Sequence, residues 1–142
     1  MRIAASEGNR HVFNLELGEE LFGTLLGWCE REGVAGATLT GLGAADKLDV
    51  AYYDLAAKAY ERHPLEEEVE VLSLVGNLGM LDGKRLLHIH GIFGRKNLST
   101  FGGHLFELRV SGACEIHLTA LASPLERAYD AATGLNLLCA AA

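Results

Sequence analysis

The sequence predicts an α+β domain built of antiparallel hairpins with one principal helix, and three observations carry that expectation. Only residues 19–32 repeat their apolar side chains at helical spacing over a long run. Nearly everything that follows falls into short runs rich in β-branched and aromatic residues, punctuated by Gly, Asp or Pro. The gaps between those runs leave little room for crossover helices, which favours hairpins over a parallel βαβ sheet.

Residues 11–17 open the pattern. Phe13, Leu15 and Leu17 share one side and Val12 and Asn14 the other, the alternation of a half-buried strand, and Gly18 ends it. Glu19 and Glu20 supply the negative charge that a helix N-terminus favours. Leu21, Phe22, Leu25, Leu26 and Cys29 then fall on one helical face, and Gly33 is a C-terminal stop. Strands are expected at 36–42, 48–55, 57–62, 69–76, 86–93, 104–110 and 115–122. The tail, 127–142, is harder to place. Its apolar end, Leu135, Leu137, Leu138 and Cys139, is too short for a membrane anchor and is expected to cover the core or an oligomer interface.

Composition narrows the functional classes. A chain of 142 residues, 49% hydrophobic and 22% charged, is long enough to bury a core without disulfides, and residues 1–142 are read as a single domain. The N-terminus turns polar at once and no apolar run reaches membrane-spanning length, so a cytoplasmic protein is expected. Cys29, Cys114 and Cys139 are widely spaced and contain no Cys-x-x-Cys pair, and each is expected to act as a small buried hydrophobe. Twelve Lys and Arg stand against nineteen Asp and Glu, a net charge of −7 that repels phosphate backbones. Direct nucleic-acid binding is therefore not expected.

The histidines carry the sharpest chemical signal. In Leu87-His88-Ile89-His90, strand alternation puts both imidazoles on one face, with Cα atoms roughly 6.5 to 7 Å apart, a separation from which two side chains can converge on one zinc. The polar, Gly-rich stretch 94–103 reads as a hairpin connection, and a hairpin centred near Asn97 places His90 directly opposite His104 on the same face. A slip of one residue would send His104 to the other face, and a bulge at Gly102 and Gly103 would re-aim it. Three neutral imidazoles leave a fourth tetrahedral position for water or substrate, as in catalytic zinc sites. The competing reading is a hydrogen-bonded cluster that ties the hairpin together. No general acid or base is legible: alternation turns Glu107 and Arg109 away from His104. His11, His63 and His117 lack convergent partners and read as surface or hydrogen-bonding residues.

The combination of Glu70-Val71-Leu72-Ser73-Leu74-Val75-Gly76-Asn77, the His88-Ile89-His90 pair, and Gly94-Arg95 leading to Gly102-Gly103-His104-Leu105 resembles the PPC domain, the domain conserved between plants and prokaryotes. The resemblance runs from about Arg10 through Asp130 and Gly134-Leu135. It implies an α+β fold with a mixed, largely antiparallel β-sheet, a homotrimer, and His88, His90 and His104 as ligands of a metal, zinc by expectation. The fold is also similar to that of acetolactate decarboxylase, a zinc enzyme with a His-x-His pair and a later His, although fold analogy does not carry a reaction. Plant members sit beside AT-hooks. This chain has no Arg-Gly-Arg-Pro core, so a DNA-binding role does not transfer with the resemblance.

Two functional readings follow. One is a trimeric metal-binding protein, acting as a zinc enzyme on a small anionic metabolite that Arg95 or Lys96 would help to attract. The other is a DNA-associated regulatory or protein-interaction module without catalysis.

Overall fold

The computed structural model describes residues 1–140. In chain order the elements are β1 (Arg2–Glu7), β2 (Arg10–Glu16), α1 (Leu21–Arg31), β3 (Ala37–Asp54), β4 (Ala59–Leu65), β5 (Val69–Leu81), β6 (Lys84–Gly94), β7 (Thr100–Ala120), β8 (Arg127–Asp130) and β9 (Leu135–Leu138). Every pairing between these strands is antiparallel, and a sheet in the order β1-β2-β7-β6-β5-β3-β4 is joined by a further β7–β3 pairing. That extra pairing closes β3, β5, β6 and β7 into a barrel, with β1 and β4 left as edge strands that have one partner each. The mixed sheet implied by the resemblance is thus antiparallel, and its one parallel feature among the described residues is an isolated bridge between Met80 and Glu126.

The helix forms where its periodicity predicts. Glu20 caps it, its carboxylate accepting from the Phe22 and Gly23 N–H groups at 2.9 and 2.6 Å, and Gly33 ends it at φ +69. Leu21, Leu25, Trp28 and Cys29 are buried against the sheet, and Trp28 meets Phe13 edge-on with centroids 4.7 Å apart. Phe13 and Leu15 of β2 are fully buried, as alternation requires, while Leu17 lies beyond the strand and is exposed. The core continues through the barrel interior with Leu48, Leu74, Ile89, Phe93, Leu105, Leu108 and Ile116.

The structure departs from expectation mainly in strand length. The runs 36–42 and 48–55 are one strand, β3, and the runs 104–110 and 115–122 are one strand, β7. Gly43, Ala44 and Asp46 in the first, and Ser111, Gly112 and Ala113 in the second, resemble breaks. In the structure they fall at register shifts, where β3 and β7 bend and stay paired. Two features were not legible: β1, and the β8–β9 hairpin formed by the tail. Cys29 and Cys114 are buried as expected, but Cys139 is exposed because the tail lies on the surface instead of entering the core. No helix among the described residues is long and apolar enough to cross a membrane.

Closure brings backbones too close for side chains at particular points. A Cβ on Gly43 would lie 2.3 Å from the Ala113 carbonyl oxygen and 2.6 Å from the Cys114 Cα, so Gly43→Ala must push β3 and β7 apart. We expect Gly43→Ala to destabilise by about 1–3 kcal/mol in urea unfolding. Gly112→Ala, whose Cβ would meet nothing nearer than the Ala44 Cβ at 3.9 Å, should change stability by less than about 0.5 kcal/mol. Equal losses in the two variants would contradict the close-approach argument.

Candidate metal centre

The hairpin register that sequence spacing predicts is present: His90 faces His104 across β6 and β7, with Gly91 opposite Gly103 and Ile92 opposite Gly102. The connection is a tight turn, in which the Arg95 N–H donates to the Ser99 carbonyl. No bulge interrupts 100–105, so Gly102 and Gly103 serve another purpose. A Cβ on Gly103 would lie 2.5 Å from the Ala51 carbonyl oxygen, and one on Gly102 would lie 2.4 Å from that of Gly91. Both glycines let neighbouring backbones close on β7 just before His104.

Leu87 and Ile89 point into the core, which turns His88 and His90 outward onto the face that carries His104. The ring centroids lie 5.1 Å apart for His88–His90, 5.1 Å for His88–His104 and 5.3 Å for His90–His104. One nitrogen from each ring lies within 4.8 Å of the others. Tyr60 and Phe106 pack on His104 at 4.7 and 4.6 Å, and Arg62 lies over the Phe106 ring at 4.2 Å. His104 Nδ1 is buried with no hydrogen-bond partner. A buried ring nitrogen without a partner is costly in a purely hydrogen-bonded cluster and useful as a ligand, so the residues present fit a metal held by three imidazoles.

The electrostatics favour neutral rings. Burial pushes the His104 imidazole down to about 4, and the charges of His88, His90 and Arg62 push the same way. Burial also lowers His88, followed by the Arg127 guanidinium and His90. A neutral imidazole is the form that ligates.

The other sequence candidates lie elsewhere. Arg95 pairs with Glu67 at 2.6 Å and stacks on Phe101, and Lys96 is exposed at the turn, so neither Arg95 nor Lys96 lines the cleft beside the histidines. Glu107 pairs with Lys47 and Arg109 with Asp46, each at 2.7 Å and away from His104. His11 bonds Ser6 and packs on Trp28, while His63 and His117 are exposed.

Sequence reasoning missed the far wall. The β8–β9 hairpin lies beside β5 and β6 and bounds a cleft of about 880 Å³ with Arg127, Leu135, Asn136 and Leu137. Arg127 Nη2 reaches Asn77 Oδ1 at 2.6 Å and lies 3.4 Å from His88 Nδ1. The one available signal was Thr133-Gly134, a turn between two short alternating runs, and Gly134 does adopt φ +76.

A family model described as the Plants and Prokaryotes Conserved (PCC) domain matches residues 2–122. The chain belongs to the PCC domain family. Among solved structures, a metal-containing protein from Archaeoglobus fulgidus is 33% identical, with 99% of each chain covered and a TM-score of 0.88. A plant- and prokaryote-conserved protein from Pyrococcus horikoshii is 30% identical, covering 100% of this chain and 99% of that one at a TM-score of 0.87. A candidate DNA-binding protein from Bacteroides thetaiotaomicron is 26% identical, covering 95% and 94% at a TM-score of 0.90. Acetolactate decarboxylase from Bacillus subtilis shares the fold at 14% identity, with 82% of this chain and 54% of that one covered and a TM-score of 0.58. No curated protein matches by sequence. The glycines and histidines of the β6–β7 hairpin lie within the span matched as PCC domain, whereas the β8–β9 wall lies beyond it.

The lowered His104 gives a pH dependence with a definite sign. The unfolded chain takes up the proton near 6.5, the folded metal-free PCC domain only near 4, so the unfolded state binds more protons in between. Stability of metal-free protein should therefore be full above about 6.5 and fall as pH drops toward 4. Urea midpoints across that window should decline more steeply in wild type than in His104→Gln, and parallel declines would contradict the assignment.

Proposed function

We propose that this chain is a metal-binding protein in which His88, His90 and His104 hold one divalent ion, with zinc the expected metal. The observation that carries the reading is the convergence of three imidazole nitrogens within 4.8 Å on two strands of fixed register. The borderline softness of imidazole suits zinc. The relative from Archaeoglobus fulgidus described as metal-containing supports the same reading at 33% identity. Three protein ligands leave a coordination position open, and we extend the proposal to an enzyme acting on a small anionic metabolite. When bound, the ion would supply Lewis acidity at that position. The chain itself supplies orientation: β6 and β7 fix the rings, and Tyr60 and Phe106 shield His104 from water.

The alternative, a DNA-associated or protein-interaction module, draws on the Bacteroides relative, but a net charge of −7 opposes direct contact with duplex DNA. Free cysteines at 29, 114 and 139 suit a reducing compartment, and we place the protein in the cytoplasm.

The metal reading is tested by elemental analysis of purified protein. Wild type should carry about one ion per chain, while His88→Ala, His90→Ala and His104→Ala should each lose most of it, because two imidazoles hold zinc weakly. His117→Ala, on the exposed surface, should keep wild-type stoichiometry. Full retention in all three site variants would sink the reading.

We further propose a homotrimer. Val75 lies opposite His90, and Leu42, Leu72, Val75 and Ile92 are each more than half exposed at 51, 51, 60 and 52%. Exposed apolar side chains, with Val75 and Ile92 beside His90, suit a subunit interface. Light scattering should give three times the chain mass of 15.2 kDa, and Ile92→Glu should shift it toward monomer. A wild-type monomer at micromolar concentration would overturn the trimer alone.

A further inference from the structure

The chain carries nineteen Asp and Glu, yet not one of them lines the cleft beside the histidines. Its charged lining residues are Arg85 and Arg127. Elsewhere the guanidinium groups of Arg2, Arg62, Arg95 and Arg109 each close on a carboxylate. Arg85 spends its Nε on the Val34 carbonyl at 2.7 Å.

Arg127 differs from the four carboxylate-paired arginines. Its Nη2 donates to Asn77 Oδ1 at 2.6 Å and its Nη1 to the Asn136 carbonyl at 2.8 Å, both neutral acceptors. Its Nε is buried without a partner where the stem crosses Gly79, a position at which a Cβ would stand 3.2 Å from that nitrogen. Partly burying a cation among neutral acceptors costs free energy that an anion would offset. A divalent ion on the neighbouring imidazoles would add positive charge to a site with no acidic side chain to balance it. The remaining walls are apolar and aromatic: Tyr53, Tyr60, Leu86, Phe106, Leu135 and Leu137.

We propose that Arg127 is the anion-recognising residue of this cleft and that its ligand is a small organic carboxylate with an apolar or aromatic body. The carboxylate meets the Arg127 guanidinium, and the body lies along the aromatic and leucine walls. The proposal deepens the metal-binding reading and rests on it for what the ligand meets next, since Arg127 Nη2 stands 3.4 Å from His88 Nδ1 and so brings the anion beside the three imidazoles.

The test is calorimetric titration of zinc-loaded protein with phenylacetate, phenylacetamide and inorganic phosphate. Charge-assisted pairing predicts that phenylacetate binds about ten- to a hundredfold more tightly than its neutral amide. It should also bind more tightly than phosphate, which lacks the apolar body. Arg127→Gln should lower the acid-to-amide ratio about tenfold in zinc-loaded protein and bring it close to one in metal-free protein while leaving zinc stoichiometry unchanged, and Arg127→Lys should keep part of the ratio. Arg127 also fastens β8 to β5, so Asn77→Ala serves as a companion: it loosens the same contact, keeps the cation, and should keep the ratio. A role confined to fastening the hairpin would lower the melting temperature in both variants with the ratio intact, and that result overturns the proposal. Equal affinity for acid and amide in wild type also overturns it, and phosphate binding as tight as phenylacetate overturns the organic body. A wild type that holds no zinc removes the metal reading alone, because the ratio in metal-free protein still reports on Arg127.

Discussion

The structure depends on the pairing of β7 with three partners along its length. Its first residues pair with β6, its later ones with β2, and nearly its whole length with β3, so this strand closes the barrel and sets the register of the histidines at once. Side chains alternate with a period of two, so a shift of one residue would bury His104 in the core and turn Leu105 out. The register is held from both sides. Leu105 and Leu108 are buried in the core, and the glycines before His104 permit backbone approaches that no larger residue tolerates. Packing inside the barrel thereby fixes polar geometry outside it.

The outer face shows how one site serves two opposed needs. Rings must stay neutral to ligate, and burial under Tyr60 and Phe106 lowers His104 far enough to ensure this at neutral pH. The same burial costs His104 Nδ1 its hydrogen bonds with water, a cost that a ligand role would offset. His90, by contrast, is exposed, and the apolar side chains beside it leave that flank open to a second chain.

The C-terminal hairpin turns this face into a cleft. It is held by a few specific contacts rather than by a core: Tyr53 donates to the Thr133 carbonyl at 2.7 Å, Lys58 to the Ala131 carbonyl at 2.6 Å, and Arg127 spans to Asn77. Two of its leucines, Leu137 and Leu138, stay nearly half exposed at 42 and 48%. A wall fastened this lightly can adjust around a ligand at lower cost than the barrel strands can.

Local periodicity determined the single helix, the strand character of the chain, and the opposition of His90 and His104, because each depends only on spacing within one element or one short hairpin. The His88-Ile89-His90 pair and Gly102-Gly103-His104-Leu105 likewise made the family legible. Tertiary structure alone decided the rest. Glycines and Asp46 inside β3, and Gly112 inside β7, read locally as strand ends, yet pairing on both sides carries the strands through them by bulges. Arg95 and Lys96 follow His90 by five and six residues but turn away at the hairpin tip. Arg127, 39 residues beyond His88, lies against it, because the tail folds back onto the barrel face and no sequence period records a contact between segments so far apart.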